Sequence, residues 1–462
     1  MSVGLIRRLR PLTLPGALKA LLTVSLVAAT FALQPSEGAE AEGCAFPFTP
    51  TTYEGLRDRQ LFLDTIELAA FDMLFPGDPY FGLAPIEIGG RASDRQAEQA
   101  KVPPVLLKAI AYIESSIAQG AGSTPFGSIG EALVAFDCGH GVTQVTTGMT
   151  VPTGEAGRGS PEQALVATHF AYNIARGAAI LVDKWNEAPE ENPIVGSDTG
   201  GHPALIENWY YAIWNYNGFT GPGANRSNHP MDPIYGSWPR TPYSCGPESD
   251  GLGHNRSNYP YQELVIGCAT NPPVVDGAPL WQAQPVSLPD LNNPAVSQPL
   301  ALENFVFPYA HMDIPSPTPF HLDETPQPPA SLRDTIVGNP AIAVSDPTLN
   351  IGYTDEAGST TEIIDVFNTG SGVLAWYAIP SASWLSIAPY TGVAVGLDYE
   401  CNPGVDCDRA GHLEVTVDPS LLPAGVTEGQ IVLQALGTSQ QQVITVRVDR
   451  VMRLGAPGIT SN

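Results

Sequence analysis

Lys101-Val-Pro-Pro-Val-Leu-Leu-Lys-Ala-Ile-Ala-Tyr-Ile-Glu114-Ser115 decides how the first half of the chain is read. Pro103-Pro104 suits a first helical turn, where a missing N–H costs nothing, and Val105 to Ile113 then form a strongly apolar helix. Glu114 ends it. Ile110 and Ala111 one turn back, and Ile113 beside it, are apolar, so the carboxyl is expected to leave one edge of a core and face a cleft. A carboxyl so placed is disfavoured as an anion and holds a proton near neutral pH, as a general acid must. The plainer alternative is a surface glutamate at the rim of a helix.

Helical spacing extends on both sides, through Leu61, Leu63, Ile66, Leu68, Ala69 and Met73 before this stretch and Ala164 to Trp185 after it. Ser160-Pro161-Glu162-Gln163 offers an N-cap, a proline at the first helical position and acidic first-turn chemistry. Residues from about Thr52 to Trp214 therefore read as mainly α. Between Pro222 and Pro260 the periodicity fades and an echo appears: Gly221-Pro-Gly-Ala-Asn225-Arg-Ser-Asn228-His-Pro230 against Gly251-Leu-Gly-His-Asn255-Arg-Ser-Asn258-Tyr-Pro260. Two copies are too few for a repeat architecture, so repeated turn chemistry of Gly, Asn and Pro is favoured over a pair of loops lining a cleft. Trp238, Tyr235 and Tyr243 nearby either stack on sugar faces or pack under a long loop.

From about Asn271 to Pro340 the chain is rich in proline, including Ile314-Pro-Ser-Pro-Thr-Pro-Phe320, which predicts a stiff extended linker. Beyond it the period changes to two, with strands expected near Ile342–Val344, Glu362–Phe367, Val373–Ile379, Leu413–Val417, Gln430–Ala435 and Val443–Val448. Short alternating strands between Gly, Pro, Asn and Asp turns predict a β-sandwich.

The chain of 462 residues carries 21 basic against 47 acidic side chains, a net charge of -26, which excludes a nucleic-acid binder built on basic patches. At 43% hydrophobic it holds enough apolar material for sizeable cores. Arg7, Arg8, Arg10 and Lys19 precede the uncharged run Ala20 to Leu33 and an Ala39-Glu40-Ala41 site, the pattern of a secretory signal. The run is shorter than the roughly 20 residues a membrane span needs, so cleavage without stable membrane insertion is favoured over an uncleaved anchor. Both remaining halves are acidic: 12 basic and 25 acidic side chains in residues 42–275, then 5 and 20.

All six cysteines follow residue 41, and an even set in an exported chain favours disulfides. Cys401 and Cys407 bracket a turn-forming loop and are paired locally, leaving Cys245–Cys268 and Cys44–Cys138 as the default remainder among fifteen formal pairings. Cys138-Gly-His140 lacks a second ligand pair at zinc spacing. Asp398, Glu400, Asp406 and Asp408 lack calcium-loop spacing and read as a solvated turn. No metal and no cofactor is expected.

Downstream of Glu114-Ser115 lie Gly141-Val-Thr-Gln144, Asn173-Ile-Ala-Arg-Gly177 and Tyr216-Asn217-Gly218. In this order, from about Pro103 to Gly218, the chain resembles the soluble lytic transglycosylase and goose-type lysozyme superfamily. The resemblance implies a peptidoglycan-cleaving glycosidase, a lytic transglycosylase or muramidase, in which Glu114 protonates the bond between N-acetylmuramic acid and N-acetylglucosamine. It implies that Gln144 binds the sugar beside the acid, that Tyr216 and Asn217 close the other wall, with the Tyr216 phenol fixing either Glu114 or the acetamido group, and that Ser115 supports the loop. Core packing is the alternative for Tyr216, and a surface strand or turn for Gln144. Asp137 lies near where goose-type enzymes carry a second acid. It is a candidate base, which an inverting hydrolase needs about 6.5 to 9.5 Å from the acid; a loop cap beside a disulfide is the alternative. If Asp137 points away, the muramic 6-hydroxyl attacks and a 1,6-anhydro product forms. The sequence departs from the family in the longer insertion around Phe136-Asp137-Cys138-Gly139-His140 and in its acidity.

Phe367-Asn-Thr-Gly-Ser-Gly-Val-Leu-Ala-Trp376 and Ala382-Ser-Trp384-Leu-Ser-Ile-Ala-Pro389 look like the BACON-type immunoglobulin-like domains of secreted bacterial proteins, whose Trp-Leu-Ser-Ile pattern is mainly core. The expected whole is multidomain: signal peptide 1–41, mainly α lysozyme-like domain 42–275, Pro-rich linker 276–338 and Ig-like β-sandwich 339–452. The expected setting is bacterial and extracytoplasmic, secreted or on the cell envelope. Peptidoglycan strands are the expected partner, with a glycan or protein partner for the sandwich and no nucleic acid. The competing class is a non-catalytic glycan-binding or adhesive protein that keeps such a cleft.

Overall fold

The computed structural model describes residues 43–90, 95–150, 158–188, 193–224, 226–247, 254–304, 313–353, 359–399, 408–423, 425 and 427–450. The signal segment and the Cys401–Cys407 pair lie outside them. Residues 43–462 cluster as one compact unit.

The helices up to residue 216 form where the apolar spacing predicts; the three beyond it are not announced by that spacing, and two of them lie in the stretch expected to be an extended linker. The helices are α1 Gln60–Ala70, α2 Pro104–Ser115, α3 Pro161–Thr168, α4 Phe170–Asn186, α5 Tyr210–Tyr216, α6 Tyr261–Thr270, α7 Pro294–Ser297 and α8 Ser331–Val337. α3 starts on a complete capping box: the Ser160 hydroxyl accepts from Gln163 N–H, and the Gln163 side chain accepts from Ser160 N–H. The expected single run Ala164 to Trp185 is broken at His169, whose extended backbone turns α4 by 106° from α3 and whose imidazole caps α4 by accepting from Ala171 N–H. No single helix among the described residues is long and apolar enough to cross a membrane.

Short strand pairs interleave with the helices: β1 Thr51–Glu54 with β4 Ser128–Glu131, β2 Ile86–Ile88 with β3 Gln96–Glu98, β5 Ile194–Val195 with β8 Asp313–Ile314, and β6 Val274–Val275 with β7 Ala278–Pro279. The C-terminal third is a two-layer sandwich. One sheet holds β10 Thr348–Tyr353, β17 Gln441–Arg450, β16 Thr427–Ala435, β12 Val373–Pro380 and β14 Thr391–Val395 in that order; the other holds β13 Leu385–Ala388, β15 Gly411–Val417, β11 Thr360–Asn368 and β9 Ile342–Val344. Among the described residues, only the β10–β17 pairing is parallel within it. β15 and β16 alternate buried and outward residues, so Leu413, Val415, Ile431 and Leu433 fill the interlayer core with Ile364, Ile444 and Trp376. Gly392 and Gly411 leave room for the Trp376 indole: a Cβ at either would lie 2.8 or 2.5 Å from it. Trp384 and Leu385 are core. The strands β10, β13 and β14 escape the period-two reading; β14 is buried at every position and so shows no alternation, and Pro389 interrupts the chain between β13 and β14.

The expectation of a mainly α domain followed by a separate sandwich is corrected here: the architecture is mixed, with strands among the helices and a shared interior. β12 and β14 show why. They are buried along nearly their whole length because the outer face of their sheet is covered by the N-terminal part. β1 and α3 pack against them, the Tyr377 hydroxyl donates to Gly159 O at 2.9 Å, Gly159 N–H donates to the Tyr390 hydroxyl at 2.8 Å, and Arg158 lies 4.6 Å from the Tyr390 ring centre. The proline-rich stretch runs back over the helices. β8 pairs with β5, Lys101 meets Asp323 at 2.7 Å, the buried Glu207 carboxylate accepts from His321 N–H at 2.7 Å and Ser287 N–H at 2.9 Å, and Arg333 donates to Leu74 O at 2.7 Å.

Candidate active site

The site is built around the turn 141–144. Three separated segments converge on it. From the end of α2, the Ser115 hydroxyl donates to Val142 O at 2.7 Å and accepts from Ala118 N–H at 3.0 Å. From α4, the buried Asn173 accepts from Thr143 N–H at 2.9 Å and donates to His140 O at 2.7 Å. Gly177 lies so close that a Cβ there would sit 2.4 Å from the Thr143 hydroxyl. From α5, the Tyr216 hydroxyl donates to Thr143 O at 2.8 Å. Gly177→Ala is therefore expected to cost about 1 to 3 kcal/mol by overpacking, read as a lower urea midpoint at unchanged slope; an unaltered midpoint would show that the turn yields freely.

After Glu114-Ser115 the backbone turns left-handed at two successive non-glycine residues, Ser116 at φ 57° and the buried Ile117 at φ 61°. For a β-branched residue this is a strained conformation. The Ser115 hydrogen bonds and the capping N–H groups of Ser116 and Ile117 hold it, and so fix the direction in which α2 presents Glu114.

Glu114 sits in a cleft of about 660 Å³ whose lining includes Asn217, Arg226, Tyr235, Arg256 and Tyr261. Burial pushes its carboxyl up to about 7; the Tyr261 phenol and the Arg256 charge oppose that shift, and the Asp137 charge adds to it. The Tyr261 hydroxyl, at the start of α6, donates to Glu114 Oε1 at 2.5 Å, and Arg256 donates to Ile113 O at 2.6 Å. Burial and the neighbouring Glu114 hold the Tyr261 phenol well above its ordinary range, so it stays a donor. A larger groove of about 920 Å³ lies at the other end of α2, near Lys108 and Trp281; Lys108 is paired there with Glu67 at 2.5 Å.

The predicted residues fare differently. Ser115 braces the turn. Asn217 is exposed on the cleft wall. The Tyr216 phenol bonds Thr143 O; Tyr261 is the tyrosine on the carboxyl. Gln144 turns back on its own loop, donating to Gly141 O at 2.8 Å, and is not in the cleft lining. Asp137 is exposed, accepts from Gly139 N–H at 3.3 Å as a loop cap, and bears on Glu114 through its charge. Cys138 is bonded to Cys44 and Cys245 to Cys268, with Cα separations of 5.4 and 4.9 Å, so Cys138 cannot join His140 as a metal ligand. His140, bonded at 2.7 Å to Cys138 O, is pushed down to about 4 by burial. The disulfides fit an oxidising, extracytoplasmic compartment. Of the acidic turn, Asp398 accepts from Gly372 N–H at 3.0 Å and Asp408 meets His412 at 2.7 Å; Glu400 and Asp406 are outside the described residues.

Both echoed loops line the cleft, the alternative that the turn chemistry alone disfavours. Tyr235 lines it too, while Trp238 bonds Asp290 at 3.2 Å and Tyr243 is buried against Tyr259. Sequence reasoning missed Tyr261 and Arg256. The signal was present: the second echo runs straight through Arg256 into Tyr259-Pro260-Tyr261.

No family model matches this chain, and no curated protein matches it. Solved structures similar to part of it include WR4, a C. elegans MSP family member, at 15% identity over 24% of this chain and 97% of that one, TM-score 0.17. PapD-like domain 7 of human CEP192 is 9% identical over 24% of this chain and 86% of that one, TM-score 0.18. The CsuC–CsuE chaperone–tip adhesion subunit complex of Acinetobacter baumannii is 8% identical over 24% and 57%, TM-score 0.17. Scores this low carry no argument about function. The resemblance to lytic transglycosylases and goose-type lysozymes is corrected: no family model supports it, and the architecture is mixed, with strands interleaved among the helices. The BACON-type resemblance has no family match either; the β-sandwich itself stands. The four motifs have a local reason to occur together, since one of them is the turn 141–144 and the other three brace it.

Proposed function

We propose that this chain is a secreted or envelope-bound glycosidase that cleaves a β-1,4-linked amino-sugar glycan of the peptidoglycan type, with Glu114 as general acid. One observation carries the reading: a carboxyl whose burial lifts its proton affinity to about 7, met by the Tyr261 hydroxyl, on the wall of an open cleft. Glu114 gives its proton to the glycosidic oxygen as the C1–O bond breaks. The carboxylate left behind is met by the Tyr261 hydroxyl and the Arg256 charge. Asp137 is outside the cleft lining, which favours attack on C1 by the sugar's own 6-hydroxyl, its proton passing to Glu114 and a 1,6-anhydro end forming.

The test is digestion of purified peptidoglycan, with chitin as control, by the full mature chain. Soluble fragments with anhydro ends by mass spectrometry are expected; fragments with reducing ends would move the nucleophile to water, and no fragments would sink the enzyme reading. Because the acid form is the active one, kcat/KM is expected to fall as pH rises through about 7. Tyr261→Phe removes a donor that favours the anion, so that limb is expected to move to higher pH, with a loss of about tenfold in rate. A limb that stays in place would show that the phenol does not act on Glu114.

A further inference from the structure

We propose that the two echoed loops form an anion clamp, in which Arg226 and Arg256 hold a carboxylate of the glycan beside Glu114, so that the cleft takes an acidic glycan in preference to a neutral one. This rests on the reading of the cleft as a glycan site. Each loop carries its arginine five residues after the first glycine of the echo, followed by a serine. Arg226, Ser227, Arg256 and Ser257 all line the same cleft, and the short helical turn 233–235 just after the first echo touches the turn 256–258 inside the second. Two similar sequences thus bring an Arg-Ser pair each to one cavity.

Charge makes the placement specific. Across a molecule of net charge -26, arginine is commonly paired with acid: Arg59 with Glu54, Arg95 with Glu87, Arg240 with Glu263, Arg447 with Glu428. Arg226 is exposed at the cleft and enters no ion pair among the described residues. The charged residues of the lining are Glu114, Arg226 and Arg256. With Glu114 protonated, the cleft is locally cationic inside an acidic protein. Arg256 is oriented by its bond to Ile113 O, and a guanidinium fork matches a carboxylate bidentately. A globally acidic surface repels an acidic glycan, so a local cationic pair is what lets one dock.

The experiment is calorimetric binding to the full mature chain carrying Glu114→Gln, which keeps the cleft but does not cut. Three probes separate the chemistry: an N-acetylglucosamine pentamer with no carboxylate, a peptide-free muramyl tetrasaccharide with free lactyl carboxylates, and a mannuronate pentamer with ring carboxylates. At least one acidic probe is expected to bind about tenfold tighter than the neutral one, and Arg226→Gln is expected to remove about that factor for the acidic probe alone. Arg256→Gln should act alike; because it also frees Ile113 O, Arg226→Gln, whose side chain is at the surface, is the deciding variant. Whichever acidic probe responds names the source of the carboxylate. Equal affinity for all three, or a loss on Arg226→Gln that is the same for neutral and acidic probes, overturns the clamp. Cleavage by the wild type is scored separately: absence of cleavage with an intact Arg226-dependent preference removes the enzyme and leaves the clamp, and cleavage without any preference does the reverse.

Discussion

Glu114→Gln is expected to lower glycan cleavage by about 10² to 10⁴-fold, the range a positioned general acid contributes, while folding and binding persist. Glutamine keeps the shape and can still accept from Tyr261, so the loss reports the proton. The same substitution has a stability signature with a defined sign. Glu114 ionises at about 7 in the fold against 4.5 as an ordinary carboxyl, so the advantage of the folded state is complete below pH 4.5 and is lost as pH rises through 7. Glu114→Gln is therefore expected to be the more stable protein at pH 8, by roughly 2 kcal/mol after discounting for partial exposure, and to match the wild type near pH 4. Urea titrations at the two pH values check it. Equal pH dependence in both proteins would mean that Glu114 is solvated and no acid at neutral pH.

Breaking Cys44–Cys138 is expected to be the most damaging structural change. It closes a loop of 94 residues, which on chain-entropy grounds is worth about 4 to 5 kcal/mol, against about 3 for the 23-residue Cys245–Cys268 loop. Serine at both positions should lower stability by that amount in chemical denaturation and also loosen the Asp137–His140 segment whose charge bears on Glu114. The two bridges removed in turn should rank in that order; the reverse ranking would show that the N-terminal bridge spans a region already ordered in the unfolded chain.

The legible parts of the fold were those with a long, clean period. α1, α2 and α4 declare themselves by apolar spacing, α3 by Ser160 and Pro161, and six sandwich strands by alternation. What the sequence could not show was contact between distant pieces. β12 reads as a nearly unbroken apolar run, and nothing local distinguishes a strand with one buried face from one with two; only the covering of Tyr377 by Gly159 decides it. At the site, Glu114 was legible because one helix contains both the carboxyl and the apolar residues that raise its proton affinity. Tyr261 was not, because it lies 147 residues away and its hydroxyl reaches the carboxyl through packing of α6 on α2. Tyr216 attracted attention for its neighbours in sequence and is used to brace Thr143.

The return of the proline-rich stretch across the helices has a consequence for how this chain can change over time. A module that can be exchanged by recombination needs a boundary that few contacts cross. Here Asp323, His321 and Arg333 fasten onto the first half, and the sheet beyond them rests on Gly159. Calorimetry on the intact chain is expected to show one cooperative transition, and a homologue could trade its sandwich for another only by rebuilding the outer face of α3 as well.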